Sequence, residues 1–198
     1  MNLPPHRRRG EIQRRMIHLS LALLPILYAG WLERPAMLGV LGAMVLASAV
    51  VELVRRGRGT ATRLFEAVFG RAIRPEERRG LLGSTHYSLG AMATVLIFPR
   101  EAAAPALLIL ALADPAASTV GRRLGRIRIG SKSLEGTLAF WLAASAGVAA
   151  LWAWRPELAL GAMLVAAPVA AVTELLTPGR LDNWTIPLLA AAVIYMCG

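Results

Sequence analysis

A series of long apolar stretches, separated by polar connections, constrains the fold of this chain more than any other feature. The apolar residues come in blocks, without the alternation of a surface strand or the one-in-four spacing of a surface helix, and such blocks are typical of membrane spans. The stretches are Met16 to Leu32, Pro35 to Val54, Ser84 to Phe98, Ala102 to Val120, Leu134 to Trp154, Leu158 to Leu176 and Asn183 to Cys197. We predict an all-α fold, a polytopic transmembrane helical bundle of about seven spans.

The composition agrees with a single integral-membrane domain that covers residues 1–198. Hydrophobic residues make up 56% of the chain and charged residues 17%, and the mean hydropathy is +0.54. We expect the first apolar stretch to be retained, because it lacks a small-x-small cleavage site and further spans follow it. The single cysteine, Cys197, excludes an intramolecular disulfide and a cysteine metal cluster.

The basic residues indicate the orientation of the spans. Apart from Arg34, Arg100 and Arg155, all of the 22 Lys and Arg residues lie in the tail 1–15 or in the connections that follow the second, fourth and sixth apolar stretches. By the positive-inside rule, the N-terminus and these connections are cytoplasmic and the C-terminus is outside. We expect a multi-pass protein of a bacterial inner membrane whose active site faces the cytoplasm, with the short external turns joining antiparallel neighbours. Because basic and aromatic residues do not interleave, the net charge of +10 gives nucleic acid little support as a partner.

The longest connection, 55–83, contains the segment TRLFEAVFGRAIRPEERRGLLG. Leu64, Phe65, Val68 and Phe69 lie on a helical stripe with arginines around it, which is typical of an amphipathic helix at the membrane interface. An ordinary surface helix packed on the ends of the bundle explains the pattern equally well.

An aspartate and a proline, Asp114 and Pro115, end the fourth apolar stretch. Because proline has no N–H group, we expect the helix to kink or open there and to line a polar cavity. A charged residue in a membrane span costs roughly 2.5–3.5 kcal/mol, so Asp114 requires a partner or a function. It either faces a ligand in the cavity or pairs with an arginine that holds two helices together.

The connection that follows, GRRLGRIRIGSKSLEGT (121–137), combines glycines, cations and a predicted helix start. Backbone N–H groups at a helix start favour an anion, and Ser131 or Ser133 can cap this helix. Lys132 is the sole lysine of the chain and offers a compact charge that suits a phosphate. The glycines are Gly121, Gly125 and Gly130. Gly121 and Gly125 equally suit a helix–helix contact, and the arginines could simply mark the cytoplasmic side.

Two further acidic residues lie in the last predicted cytoplasmic turn, TELLTPGRLDNWTIP. Glu174 ends the sixth apolar stretch, and Asp182 precedes the last one, where a plain N-cap is the alternative. Both map to the same membrane face as Asp114, so two or three of these carboxylates converge beside the basic loop if the fourth and sixth helices approach. Carboxylates beside a phosphate-binding loop suit Mg²⁺-assisted phosphoryl transfer.

These motifs resemble the membrane-embedded polyprenol kinase family, which includes dolichol kinase, phytol kinase and CTP-dependent diacylglycerol kinase. The matching segments are Asp-x-x-Ala-x-x-x-Gly-x-x-x-Gly at Asp114 to Gly125, KSLEGT at Lys132 to Thr137, Glu174, and DNWTIP at Asp182 to Pro187, with weaker matches at Arg14 to Leu19 and Arg74 to Gly90. Members usually carry Gly-Asp at the first motif, where this chain has Ala113-Asp114 followed by Pro115.

The resemblance implies a kinase that transfers the terminal phosphoryl group of CTP, or of another nucleoside triphosphate, to an isoprenoid or diacylglycerol hydroxyl with the help of Mg²⁺. It implies a nucleotide loop over 121–137. Its predicted nucleotide-binding residues are Gly121, Arg122, Arg123, Gly125, Ser131, Lys132, Ser133, Glu135, Gly136 and Thr137. The predicted catalytic residues are Asp114, Lys132, Asp182 and Glu174.

We assign Asp114 as the first metal ligand, Asp182 as a second ligand or the base, and Glu174 as a supporting ligand. His18 and Asn183 are the candidates for contact with the lipid substrate. A histidine satisfied within the bundle is the alternative for His18, and this interpretation also applies to His86.

Two other functions are compatible with the sequence. One is a cytidylyltransferase that attaches CMP to a lipid phosphate, although its basic and acidic C-terminal signature is missing here. The other is a transporter or scaffold that binds an anion without chemistry. A product assay separates the transferase from the kinase, because the kinase releases CDP and the transferase releases pyrophosphate. The sequence does not indicate an oligomeric state.

Overall fold

The computed structural model describes residues 16, 20–70, 80–178 and 181–198. Within these ranges the chain forms eight α-helices and one short β-hairpin. The helices are α1 (Leu23–Gly30), α2 (Arg34–Arg56), α3 (Thr60–Phe69), α4 (Gly83–Ile97), α5 (Arg100–Arg123), α6 (Leu134–Trp154), α7 (Leu160–Leu176) and α8 (Asp182–Cys197). The strands are β1 (Arg128–Ile129) and β2 (Lys132–Ser133). The prediction of a helical fold is confirmed, and the hairpin is the one regular element of the described chain that it missed.

The helices suit an integral membrane protein. Three of those described, α2, α5 and α6, are long and apolar enough to cross a membrane, and α7 is apolar but shorter. The outer faces carry large apolar side chains that are more than half exposed, for example Leu46 and Leu53 on α2 and Leu142 on α6. Large apolar side chains exposed in this way suit a non-aqueous neighbour. The number of about seven spans and their orientation stay predictions.

Helix α5 lies at the centre of the bundle and packs against α1, α4, α6, α7 and α8. Every residue from Ala102 to Ala111 is buried. The alanines among them allow the surrounding helices to approach closely, as small residues do in membrane bundles. Because this buried segment ends shortly before Asp114, the aspartate lies near the ends of several helices.

The expected opening of α5 at Pro115 is wrong, because the helix continues through this residue to Arg123. Proline removes a single backbone hydrogen bond, which neighbouring helices can compensate in a packed bundle. The hydroxyl groups of Ser118 and Thr119 donate to the Pro115 carbonyl at 3.1 and 2.6 Å. These bonds do not replace the one that the Pro115 nitrogen cannot make to the Ala111 carbonyl, so the packing around α5 is what keeps the segment helical.

Charged side chains of α2 hold α4 at both ends. Arg34 donates from Nε to the Val95 carbonyl at 3.1 Å, near the carboxyl end of α4. At the other end, the buried Glu52 accepts from the Leu82 N–H at 2.7 Å and from the Thr85 hydroxyl at 3.1 Å. Since helix ends leave backbone groups unpaired, α2 supplies partners for both ends of α4. Helix α2 is therefore antiparallel to α4 and packs mainly against it, not against α1 as the short turn predicts.

One end of the bundle gathers the carboxyl ends of α2, α5 and α7 and the amino ends of α4, α6 and α8. We call it the site end. There, Trp184 Nε1 donates to His86 Nδ1 at 3.2 Å and joins α8 to α4. Gly90 lies so close to Asn183 that a Cβ atom would overlap the Asn183 carbonyl. The site end is the end that the distribution of basic residues predicts to be cytoplasmic.

Candidate functional site

The β-hairpin places Lys132 immediately before α6. Its strands are antiparallel, with Ile129 opposite Lys132, and the two residues Gly130 and Ser131 form the turn. Gly130 has a φ of 58°, in the left-handed region that glycine adopts with little strain. Two-residue hairpin turns commonly need glycine at such a position. The glycine at 130 therefore serves the turn that presents Lys132.

Ser133 caps α6 and fills the narrow space between α6 and the end of α5. Its Oγ accepts from the Gly136 N–H at 3.2 Å, as the predicted cap requires. A Cβ atom at Gly121 would lie 2.9 Å from this Oγ, and one at Gly125 would lie 2.6 Å from it. These three glycines thus permit the close contact of α5 with α6, which was the structural alternative for Gly121 and Gly125. Their contact with a nucleotide stays a prediction.

Glu135 holds the loop that precedes the hairpin. Its Oε1 accepts from the backbone N–H groups of Arg126 and Ile127 at 2.9 and 3.2 Å. The Leu134 N–H donates back to the Ile127 carbonyl at 3.1 Å. The carboxylate therefore shapes the loop from within, and its predicted role toward the nucleotide is untested.

The other residues assigned to the nucleotide surround this loop. Arg122 and Arg123 are exposed at the end of α5, and Ser131 is exposed in the hairpin turn. Thr137 donates from its hydroxyl to the Ser133 carbonyl at 3.2 Å. Exposed arginines and an exposed turn leave the loop accessible to an anion from water.

Lys132 bridges two carboxylates from different helices. Its Nζ lies 2.6 Å from Glu174 Oε1, at the end of α7, and 3.2 Å from Asp182 Oδ2, at the start of α8. The side chains of Lys132, Glu174 and Asp182 are 19%, 5% and 12% exposed, so all three charges are largely removed from water. We call these three residues the Lys132 cluster. Such charges are tolerated away from water because they pair with one another.

The neighbouring acids keep Lys132 protonated. Burial by itself lowers the pKa of the Lys132 ammonium, but the negative charges of Asp182, Glu174 and Asp114 outweigh it and raise the pKa above its usual value. Asp114, half-buried on α5, is thus close enough to act on Lys132. The structure brings together all four residues that the sequence assigned to catalysis, while their roles stay predictions.

The oxygen atoms of these acids have the chemistry that Mg²⁺ prefers. Glu174 Oε2 is buried and has no hydrogen-bond partner within the described chain. Mg²⁺ at phosphoryl-transfer sites is usually held by one or two carboxylates and by substrate phosphates. Across residues 20–70, 80–178 and 181–198, no three Asp, Glu, His or Cys side chains form a ready-made metal site. The donor types therefore fit Mg²⁺ held jointly with a nucleotide, and the metal roles of Asp114, Asp182 and Glu174 remain predictions.

The two candidates for substrate contact have different outcomes. His18 lies outside the described residues. Asn183 is buried at the start of α8, and its N–H donates to Asp182 Oδ1 at 2.9 Å. Its role toward a lipid is untested. His86 accepts from Trp184 at 3.2 Å, so it is satisfied within the bundle, as its alternative interpretation predicted.

Sequence reasoning missed Glu52, a second buried acid at the site end. Its Oε2 accepts from Arg55 Nε at 2.7 Å, in addition to the contacts of Oε1 with α4. The signal was present in the sequence, because Glu52 ends an apolar stretch in the same way as Glu174. Through α4, which packs on α8, Glu52 supports the helix that carries Asp182.

Two known proteins are similar to this chain over about two thirds of its length. CTP-dependent diacylglycerol kinase 1 of Schizosaccharomyces pombe is 28% identical over 135 residues, which are 66% of this chain and 62% of that kinase. The chain is thus similar to a CTP-dependent lipid kinase. An uncharacterized protein of Rickettsia prowazekii, RP860, is 26% identical over 137 residues, 68% of this chain and 67% of that protein.

The similarity to the diacylglycerol kinase supports the resemblance that the motifs indicate. The matched region spans less than two thirds of that kinase. No family model and no solved structure matches the chain.

Proposed function

We propose that the chain is a lipid kinase that transfers the terminal phosphoryl group of CTP to the hydroxyl of a membrane lipid alcohol. The observation that supports this most directly is the Lys132 cluster, which lies beside a loop rich in glycine and arginine at one end of an apolar bundle. An isoprenoid or diacylglycerol stays in hydrocarbon while its hydroxyl meets a nucleotide from water. A site at the end of the bundle satisfies both requirements.

In this proposal, the exposed cations of the loop attract the triphosphate, and the Lys132 ammonium donates to its phosphates. Asp114 and Asp182 would hold Mg²⁺, which would supply positive charge beside the phosphates where negative charge develops during transfer. These assignments place cations around the phosphates. Glu174 then remains as the acid that can contact the lipid hydroxyl.

Glu174 Oε2 is our candidate for the atom that receives the lipid hydroxyl, because it is buried and lacks a partner within the described residues. The hydroxyl oxygen attacks the terminal phosphorus, and the bond from that phosphorus to the bridging oxygen breaks. CDP leaves, and the hydroxyl proton passes to the carboxylate. A positioned base of this kind typically contributes about 10²–10⁴-fold to the rate.

The test is incubation of the purified, full-length protein with γ-labelled CTP, Mg²⁺ and a panel of lipid alcohols that includes diacylglycerol, dolichol and phytol. We expect labelled lipid phosphate and CDP. Release of pyrophosphate would assign a cytidylyltransferase instead, and nucleotide binding without turnover would assign a transporter or scaffold.

Two variants and a matched control examine the assigned residues. Asp114→Asn and Glu174→Gln keep the shape of each side chain and should each lower the rate at least about 100-fold. Thr173→Ala is the control, because Thr173 precedes Glu174 and its hydroxyl donates to the Val169 carbonyl of its own helix and to no other group in the described part of the chain. Wild-type rates in both acid variants would refute the assignment.

A further inference from the structure

Helix α3 carries an apolar face that no other described part of the chain buries. Leu64, Val68 and Phe69 are 63%, 58% and 41% exposed. By helical periodicity, Leu64, Phe65 and Val68 fall on one side of α3, and Glu66 falls on the opposite side. The face belongs to a helix of 10 residues with nothing but exposed or half-buried side chains.

The position of α3 along the bundle is fixed by its contact with α2. The Thr62 hydroxyl donates to the Val54 carbonyl at 2.7 Å, which ties the first turn of α3 to the last turns of α2. Helix α2 is one of the helices long enough to span a membrane, and its outer residues Val50 and Leu53 are 58% and 74% exposed. The apolar face of α3 therefore begins at the level where the lipid-facing surface of α2 ends.

Basic side chains surround the start of α3. Arg56, Arg58 and Arg63 are exposed, and Glu66 is the single acidic residue between 55 and 70. Basic residues at the end of a span are attracted to anionic headgroups. An apolar face of this kind, flanked by arginines, fits the surface of a bilayer. A protein partner would not require the face to begin where the span ends.

We propose that α3 lies in the interface of an anionic lipid bilayer, with Leu64, Phe65 and Val68 in the acyl region and Glu66 directed to water. The contact fixes the depth of the site end, because α2 connects α3 to Glu52 and hence to α4. It does not depend on the kinase activity. The proposal can therefore hold even if the protein phosphorylates no lipid.

The test measures the depth of both faces of α3 in the full chain. Single cysteines at Leu64→Cys and Glu66→Cys, each in a Cys197→Ser background, are labelled with an environment-sensitive dye. The proteins are reconstituted in phosphatidylcholine nanodiscs with 30% phosphatidylglycerol and a shallow doxyl-labelled lipid. Leu46→Cys, on the exposed face of α2, is the control for a position in the membrane. Both α3 positions are exposed, so the substitutions leave the core unchanged.

We expect blue-shifted emission and strong doxyl quenching at position 64, and little of either at position 66. Equal quenching at 64 and 66, or quenching at neither, would overturn the proposal. Protection of position 64 from both the doxyl lipid and aqueous iodide would show that protein covers the face, which also overturns it. Substitution of Arg58 and Arg63 by Gln should reduce the quenching difference between discs with and without phosphatidylglycerol, and no reduction would refute the anionic preference.

Discussion

Removal of the Lys132 charge should destabilise the folded chain strongly. In Lys132→Met, the carboxylates of Glu174 and Asp182 keep their burial and lose the ammonium that contacts both. Breaking a buried ion pair by removing one partner costs about 3–5 kcal/mol, because an uncompensated charge remains away from water. At roughly 2–4 °C per kcal/mol for a chain of this size, Tm should fall by about 6–20 °C.

The assay is thermal unfolding of the full-length protein in detergent, followed by tryptophan fluorescence. We expect the Tm deficit of Lys132→Met to be smaller at pH 5 than at pH 7. Burial and the Asp114 charge already raise the pKa of Asp182 to about 6, and loss of the Lys132 charge raises it further, so this acid binds a proton more readily in the folded than in the unfolded state. The folded variant therefore gains relative stability as the pH falls.

Three comparison variants make the reasoning specific. Combining Lys132→Met with Glu174→Gln and Asp182→Asn should restore most of the lost stability, because no buried charge is then left unpaired. Arg128→Met removes an exposed charge from the neighbouring strand and should change Tm little. Lys132→Arg should recover only part of the stability that Lys132→Met loses, since a planar guanidinium cannot replace one nitrogen that donates to two acids. A Lys132→Met protein as stable as the wild type at pH 7 would refute the argument.

Three other substitutions have expected outcomes. Glu52→Ala should cost about 3–5 kcal/mol in thermal unfolding, because the start of α4 and Arg55 lose a buried partner, and a change below about 1 kcal/mol would contradict this. Gly125→Ala should cost about 1–3 kcal/mol, because its Cβ atom would crowd Ser133 Oγ, and an unchanged Tm would show that the end of α5 can shift freely. Glu135→Gln should accelerate amide hydrogen exchange in the loop before β1, measured by mass spectrometry, because a neutral amide is a weaker acceptor, and wild-type protection would disprove the loop-holding role.

The apolar stretches predicted where most helices lie, because a run of apolar residues in a bundle packs against its neighbours or faces outward as one helix. The sequence also predicts that Asp114, Glu174 and Asp182 lie at the same end of the bundle, since each span reverses the direction of the chain. The bridge made by Lys132 does not follow, because its partners are 42 and 50 residues away and their contact depends on how each helix is rotated. The hairpin was missed because two-residue strands have no periodicity to detect.

The use of a single lysine in a chain whose other basic residues are all arginines has a physical reason in this geometry. One nitrogen must reach two carboxylates from separate helices at 2.6 and 3.2 Å within a space that leaves little of the side chain exposed. An ammonium offers three donors around one atom, whereas a guanidinium spreads its donors over a plane and suits a single bidentate partner. The arginines, which are exposed around the loop, meet no such demand. The cluster therefore selects lysine by shape as well as charge, and the Gly130 turn and the Ser133 cap fix the hairpin that carries it.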